Sequence, residues 1–363
     1  MPSVIEVGDV KVELIWFDSL GAKSSTILVT TPDVKILIDP GAAEMQPSYP
    51  LSWDEKYRLL QEALEAIIKA SREADVITVT HYHYDHHLLP KDFKEVYEGK
   101  FLLIKDPNKW INESQWDRAR LFLTQLIEVF TGSFDENMLY IEAQSFELKD
   151  PLEELPIAAS KDYGDYNARK RELLEKGRTW LKKIHEKLWQ KGPWCKEVEV
   201  KDKFKVVFAD GLSFKFGNTT LRFTKPFFHG LEYDRVGWTL SIVVEHPHVK
   251  IIHSSDLQGP VIEDYAKWII DENPDVLVLD GPPTYLLGYM FNNINLRRAV
   301  QNTCKIIEET STKLIIYDHH LTRDKLYPDR VADVYATASK LGKKVLTAAE
   351  QIGKKPLILT IGS

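Results

Sequence analysis

Apolar positions in the first 40 residues recur in short runs rather than at helical spacing. Val10–Phe17 (VKVELIWF) alternates in part, Ser25–Thr30 (STILVT) is β-branched, and Pro32-Asp33 punctuates the chain before Lys35-Ile36-Leu37-Ile38. Such runs bounded by turn residues predict strands, and the last two predict a hairpin. The spacing then changes. Ser52-x-x-Glu55 is a capping-box signal, and Leu59, Leu60, Ala63, Leu64, Ile67 and Ile68 share one helical face, which predicts a helix to about Arg72. Asp75–Thr80 returns to a β-branched run that predicts a buried strand.

Helical spacing dominates from about Asn112 to Lys203. Glu113–Phe130 predicts an amphipathic helix closed by Gly132. Asn167–Gln190 predicts a second, with Leu173, Leu174, Trp180, Leu181, Ile184 and Leu188 on one arc and most of the Lys and Arg on the other. Afterwards the strand pattern resumes. Phe204–Phe208, Leu212–Phe216, Leu221–Phe223, Thr239–Glu245, Lys250–His253, Asp275–Leu279 and Lys313–Tyr317 predict strands, and Asn295–Thr310 and Asp329–Leu341 predict helices. The pattern is that of an α/β chain forming a single domain over 1–363, with 112–203 as a mainly helical insertion.

Composition narrows the class. The chain has 363 residues, 44% of them hydrophobic, enough for a sizeable core. A net charge of −7 argues against a surface built wholly for nucleic acid, although a local basic patch stays open. Cys195 and Cys304 lie far apart in no metal-type spacing and form no disulfide framework, so a reducing cytoplasm is the default location. The first residues, MPSVIEVGDVKVELIWFDS, carry acidic groups inside their apolar stretches, unlike a signal peptide. No apolar run is long enough to predict a membrane span.

The candidate chemistry lies in Val79–His87 (VTHYHYDHH), which holds four of the chain's 11 histidines directly after a predicted strand. His81 and His83 are two apart, so an extended segment points both to one side, where they can share an ion. Asp85 and His86 follow where the chain turns and can face a second ion. Imidazole and carboxylate ligands suit Zn²⁺ first, with Fe or Mn as substitutes. A histidine-rich surface loop is the bland alternative, but it does not need this ligand order straight after a buried strand.

His81-x-His83-x-Asp85-His86 resembles the signature of the metallo-β-lactamase superfamily. Further pieces of that pattern occur in order: Ile38-Asp39-Pro40-Gly41, Phe227-Phe228-His229-Gly230 with Gly237 downstream, His253-Ser254-Ser255-Asp256, and Tyr317-Asp318-His319-His320. Each is weak alone; their order and their strand-end placement make the set specific. The resemblance implies a four-layer αβ/βα sandwich. It implies His81, His83 and His229 as ligands of a first metal. Asp85, His86 and a histidine of the last motif would hold the second, His319 preferred over His320, which would then face substrate or pack. Asp256 would bridge both ions and Asp39 would hold a ligand loop. Ser255 stands where the family usually has glycine. The arrangement is similar to an archaeal group of predicted superfamily hydrolases. Asp280-Gly281-Pro282-Pro283-Thr284-Tyr285 matches a turn of the lactonase-like and ribonuclease-Z-like branches, and reads as a pocket wall with Asp280 an alternative ligand.

What the resemblance implies chemically is a binuclear metal-dependent hydrolase. A metal-bridging hydroxide would attack a small ester, lactone or phosphoester, with Asp85 and Asp256 as catalytic carboxylates and Asp85 taking up a proton. Two other readings stand beside it: a nuclease acting on RNA or DNA, and a non-hydrolytic di-iron redox or metal-binding protein. No flavodoxin-like stretch is read after His320, which weighs against redox chemistry. From Tyr166 to Lys196 there are ten Lys/Arg against three Asp/Glu, interleaved with Trp180, Trp189 and Trp194. This is either a basic aromatic arm for nucleic acid or the solvated face of a packed helix, and the apolar arc through Trp180 favours the second, making a small-molecule substrate the preferred partner. His87 reads as touching substrate, facing solvent or supporting a ligand, and His253 as a buried, satisfied histidine. Tyr82 and Tyr84 read as packing, and Arg323 as a fork for a substrate anion or a surface charge.

Overall fold

The runs on either side of Pro32-Asp33 pair as their composition predicts: Ser25–Thr30 lies antiparallel to Lys35–Ile38, with Ile27 opposite Ile38. In the computed structural model, which describes residues 3–361, this hairpin belongs to an eight-stranded sheet. The sheet order is Ser3–Val7, Val10–Phe17, Ser25–Thr30, Lys35–Ile38, Val76–Val79, Lys100–Ile104, Phe204–Phe208 and Glu199–Val200. Pairing turns parallel from Lys35–Ile38 to Phe204–Phe208. A second, seven-stranded sheet runs Ser213–Phe216, Thr219–Phe223, Ile242–His246, Val249–His253, Val276–Asp280, Leu314–Asp318 and Lys344–Leu346.

Side-chain alternation decides how the sheets stack, because successive residues of a strand face opposite ways. Val12, Ile27, Ile36 and Val76 of the first sheet meet Leu221, Ile242, Ile251, Val278 and Ile316 of the second in one buried layer. The opposite faces are covered by helices. Trp53–Glu73, opened by the Ser52–Glu55 capping box, lays Ala63, Ile67 and Ala70 over Leu28, Leu37 and Ile77. Glu263–Glu272, Asn293–Glu309 and Ala332–Lys340 cover Ile252, Leu277 and Ile315. This is the four-layer αβ/βα sandwich implied by the resemblance.

Two elements depart from the sequence reading. The run Thr239–Glu245 breaks: Trp238–Thr239 pairs with Phe227–Phe228, while Ile242–His246 joins the second sheet. The cause is tertiary, since Leu240 N–H donates to Thr80 O (3.1 Å) in the histidine loop. The last predicted helix is two pieces, Tyr327–Arg330 and Ala332–Lys340, because buried Val331 leaves helical backbone geometry (φ −119°, ψ 24°).

The stretch 112–203 connects two adjacent parallel strands, Lys100–Ile104 and Phe204–Phe208. Its helix Glu113–Thr131 ends at left-handed Gly132, and its helix Asn167–Ile184 continues into a π-helical turn over His185–Trp189. Trp189 and Trp194 are buried, and Trp180 stacks on Trp238 at 5.6 Å. Lys170 Nζ reaches Glu232 Oε2 (2.5 Å), and Arg298 Nη2 meets Glu232 Oε1 (2.7 Å) and Glu263 Oε2 (2.8 Å).

Arg298 and Glu232 are buried, with side chains 3% and 1% exposed. Burial raises the Glu232 carboxyl, but Arg298 and then Lys170 draw it from 4.5 down to about 2. A depressed folded value means that this stabilisation is complete above 4.5 and is lost as pH falls toward about 2. Replacing Arg298 by Ala strands buried carboxylates and is expected to cost about 3–5 kcal/mol in urea unfolding at pH 7. The cost shrinks when the same comparison is made near pH 3, where unpaired Glu232 takes up a proton.

Candidate metal centre

Strands Lys35–Ile38, Val76–Val79, Val249–His253 and Leu314–Asp318 deliver their C-terminal ends to one edge of the sandwich, the usual place for a site in such sheets. Three of them turn there through a left-handed residue: Asp39 (φ +50°), Ser255 (φ +51°) and His319 (φ +58°). Each such non-glycine residue costs roughly 1–3 kcal/mol, and residues of this kind cluster where a site requires them. Gly41 is required by close approach, since a Cβ there would lie 2.2 Å from the His87 backbone nitrogen.

Asp256 stands at the centre. Its Oδ2 faces His229 Nε2 (2.8 Å) and His81 Nε2 (3.4 Å). Its Oδ1 faces His86 Nε2 (3.1 Å) and His319 Nε2 (3.4 Å). His83 Nδ1 lies 3.0 Å from His81 Nε2, and Asp85 Oδ2 lies 3.8 Å from His319 Nε2. Three groups of donors could each hold a cation: His81, His83, His229 and Asp256; Asp85, His86 and His319; and Asp256, His319 and His320.

Carboxylates behind the imidazoles fix which nitrogen points inward. His86 Nδ1 bonds Asp39 Oδ2 (2.8 Å), His319 Nδ1 bonds Asp18 Oδ1 (2.9 Å) and His320 Nδ1 bonds Asp280 Oδ1 (2.9 Å). The other nitrogen of each ring is thereby left for the centre. Asp39 also accepts from Thr80 N–H (2.8 Å) and Thr80 Oγ1–H (2.6 Å). Ser255 keeps its left-handed backbone while its hydroxyl bonds Thr80 Oγ1 and Thr239 Oγ1, both at 2.7 Å.

The donor set fits a divalent cation. His86 Nε2, His229 Nε2 and both Asp256 oxygens are buried without a hydrogen bond, a costly condition for polar atoms. Charge is distributed unevenly. Burial pulls His86 down, but Asp256 and Asp39 push it up to about 10. Burial and then His86 draw His81 down to about 4. Burial raises Asp256, yet the charges of His86, His319, His81 and His229 hold it well below the carboxylate range. A cation between these donors would satisfy the atoms left without hydrogen bonds.

All eight residues singled out as ligands meet here. His319 faces Asp85 and Asp256, and His320 sits beside it with ring centroids 4.5 Å apart. Asp280 stands behind His320 and also accepts from Gln258 N–H (2.8 Å). His253 is buried and bonds Ser25 O (2.9 Å). His87 is buried rather than solvent-facing, bonding His83 O and packing edge-on against Phe122. Tyr82 is buried, and exposed Tyr84 lies under Arg118. Arg323 is no surface charge: it is buried, pairs with Asp18, and places Nη2 3.3 Å from Asp85 Oδ2. Asp18 escaped the sequence reading. Its one signal was an aspartate straight after the strand Val10–Phe17, the same sign that marked Asp39.

Asp18→Asn and Asp39→Asn are each expected to weaken Zn²⁺ affinity about 10–100-fold, read by competition with a chromogenic chelator. Unchanged affinity would remove these carboxylates from the site. Ser255→Ala keeps the strained backbone and loses both hydroxyl bonds, so urea unfolding is expected to show a loss of about 1–3 kcal/mol. Ser255→Gly loses less, because glycine relaxes the left-handed backbone.

No protein-family model matches the chain. Among solved structures it is similar to YhfI from Bacillus subtilis, a metallo-β-lactamase fold protein (TM-score 0.43, 11% identity, 93% of this chain and 95% of that one). It is also similar to human tRNase Z, short form (TM-score 0.30, 12% identity, 83% and 90%). These likenesses are loose, and the fold rests on the layers and strand ends described above. Sequence relatives are far nearer. A UPF0282 protein of Methanopyrus kandleri is 34% identical over 354 residues, 94% of each chain. One of Methanocaldococcus jannaschii is 32% identical over 340 residues, 91% of this chain and 90% of that one. With identity sustained over nearly the whole of both chains, this chain belongs to the UPF0282 family.

Proposed function

We propose that this chain is a binuclear metal-dependent hydrolase. His81, His83 and His229 hold one divalent cation, Asp85, His86 and His319 hold the other, and Asp256 bridges them. The observation that supports this most directly is the division of labour at Asp256: Oδ2 faces the first set of imidazoles and Oδ1 the second. His320, backed by Asp280, borders the second site. Zinc is the first choice for this donor set, with iron or manganese as substitutes.

Two such ions supply Lewis acidity and lower the pKa of a coordinated water toward neutrality. The chain's residues set the rest. Asp39, Asp18 and Asp280 orient the rings, so little reorganisation is needed when substrate arrives. Asp85, steadied by Arg323, is placed to accept the proton released on attack. The reacting centre is the carbonyl or phosphoryl of a small ester, lactone or phosphoester. A nucleic-acid substrate is the weaker reading. Trp189 and Trp194 are buried, so they offer no face for base stacking, and Arg169, Lys176 and Arg178 are engaged by acidic neighbours. Among the described residues no helix is long and apolar enough to cross a membrane.

Elemental analysis of protein purified without added metal is expected to find about two zinc per chain. His81→Ala and Asp256→Ala should each lose metal and the hydrolysis of model esters. Because ligating imidazoles must shed protons, zinc uptake by chelator-treated protein should release protons, and its affinity should fall as pH is lowered. Two iron per chain would move the reading to redox chemistry. No metal, with none taken up on reconstitution, would end it.

A further inference from the structure

Lys23 is a cation with no assigned use beside the proposed metal centre. Its backbone is fixed on both sides, with N–H to Ala43 O at 2.9 Å and O from Ala43 N–H at 3.0 Å. Ala43 follows the Asp39-Pro40-Gly41 turn. The next residue, Ser24, offers its carbonyl to His319 Nδ1 at 3.2 Å. Lys23 is therefore placed between two segments that hold up the Asp85–His319 side of the site. The residue is only partly exposed, and among the described residues its ammonium has no hydrogen bond or ion pair. The charges that act on it are those of Arg323, Asp85, Asp18 and Glu44.

Its neighbour Arg323 is committed: Nε is taken by Asp18, Nη2 lies 3.3 Å from Asp85, and Nη1 is 3.4 Å from the Tyr285 hydroxyl. A partly desolvated ammonium without a partner is unfavourable in the free protein. An arriving oxyanion removes that penalty, and lysine is suited to the task as a mobile point charge. We propose that Lys23 binds an oxyanion of the substrate beside Asp85 and His319, so that this chain prefers esters bearing a phosphate or carboxylate over neutral ones. The preference for a class of ester rests on the hydrolase reading; the binding of the anion does not.

The test is calorimetry of inorganic phosphate, and separately of succinate, on the metal-loaded full chain and its Lys23→Gln and Lys23→Arg variants. Lys23→Gln is expected to weaken phosphate binding roughly tenfold and Lys23→Arg to restore most of it. A matching loss for succinate would identify a general oxyanion site, and a loss for phosphate alone a phosphoester site. In turnover, the same variant should raise KM about tenfold for bis(p-nitrophenyl) phosphate and leave p-nitrophenyl acetate unchanged. An unchanged melting temperature shows that Lys23→Gln folds. Unchanged affinity for both anions, or equal losses on the charged and neutral esters, would overturn the proposal. If the wild-type chain holds no metal, the hydrolase reading fails, and phosphate binding to the metal-free chain still judges Lys23.

Discussion

The architecture of the site depends on one buried carboxylate. Asp256 has four imidazole nitrogens within 3.4 Å, two on each oxygen, and is 1% exposed. Such a group is stable only while opposite charge stays close, because burial of an unpaired carboxylate is costly. His86 and His319 are the rings drawn up in pKa by carboxylates on each side, against the effect of burial. A divalent cation held by the same donors would supply opposite charge as well. The surrounding Asp39, Asp18 and Asp280 each fix the far nitrogen of a ring and leave the near one for the centre.

The loops that bring these candidate ligands and their supports together turn abruptly at strand ends. Asp39, Ser255 and His319 take left-handed backbone immediately beyond or close to the ends of their strands. At Asp39 and Ser255 the local cost is offset by side-chain hydrogen bonds. Asp39 bonds Thr80 through both oxygens, and Ser255 joins Thr80 and Thr239 through its hydroxyl. Serine in a position that favours glycine is thus explained by what its side chain reaches. The hydroxyl links the histidine loop to the loop of Asp256, a tie that glycine cannot make.

The clustering of these residues was legible in the chain because the candidate ligands sit at strand ends, and strand ends show in the hydrophobic pattern. His81, His83, Asp85 and His86 follow a β-branched run, Asp256 and His319 follow two more, and His229 follows the aromatic pair Phe227-Phe228. Asp18 was not legible as a site residue. It also closes a strand, but its partner His319 lies 301 residues away, and nothing local says that an aspartate before Ser19 is more than a turn. The break at Leu240 was hidden for a related reason. The run is continuous in β propensity, and the deciding bond goes to Thr80 O in a loop remote in sequence. The tryptophans were legible as packing because their spacing lay on the apolar arc, whereas the charges between them, read alone, suggested an arm for nucleic acid.

The helical stretch has a part in the site as well as in the fold. Gln115, in the first turn of the helix Glu113–Thr131, accepts from Tyr82 N–H (3.2 Å) and donates to Val236 O (2.8 Å). Asn112, which caps that helix, donates to Val236 O (2.9 Å) and Arg235 O (2.7 Å). One side chain therefore spans the gap between the loop of His81 and His83 and the loop that follows His229. Glu232, three residues after His229, is in turn gripped by Lys170 of the second helix and by Arg298. The three imidazoles of the first proposed metal are thus registered by the crossover helices. The second set is registered by Asp39, Asp18 and the second sheet. Asp256 joins the two halves, and the distance between them is set by packing that the ligands themselves do not supply.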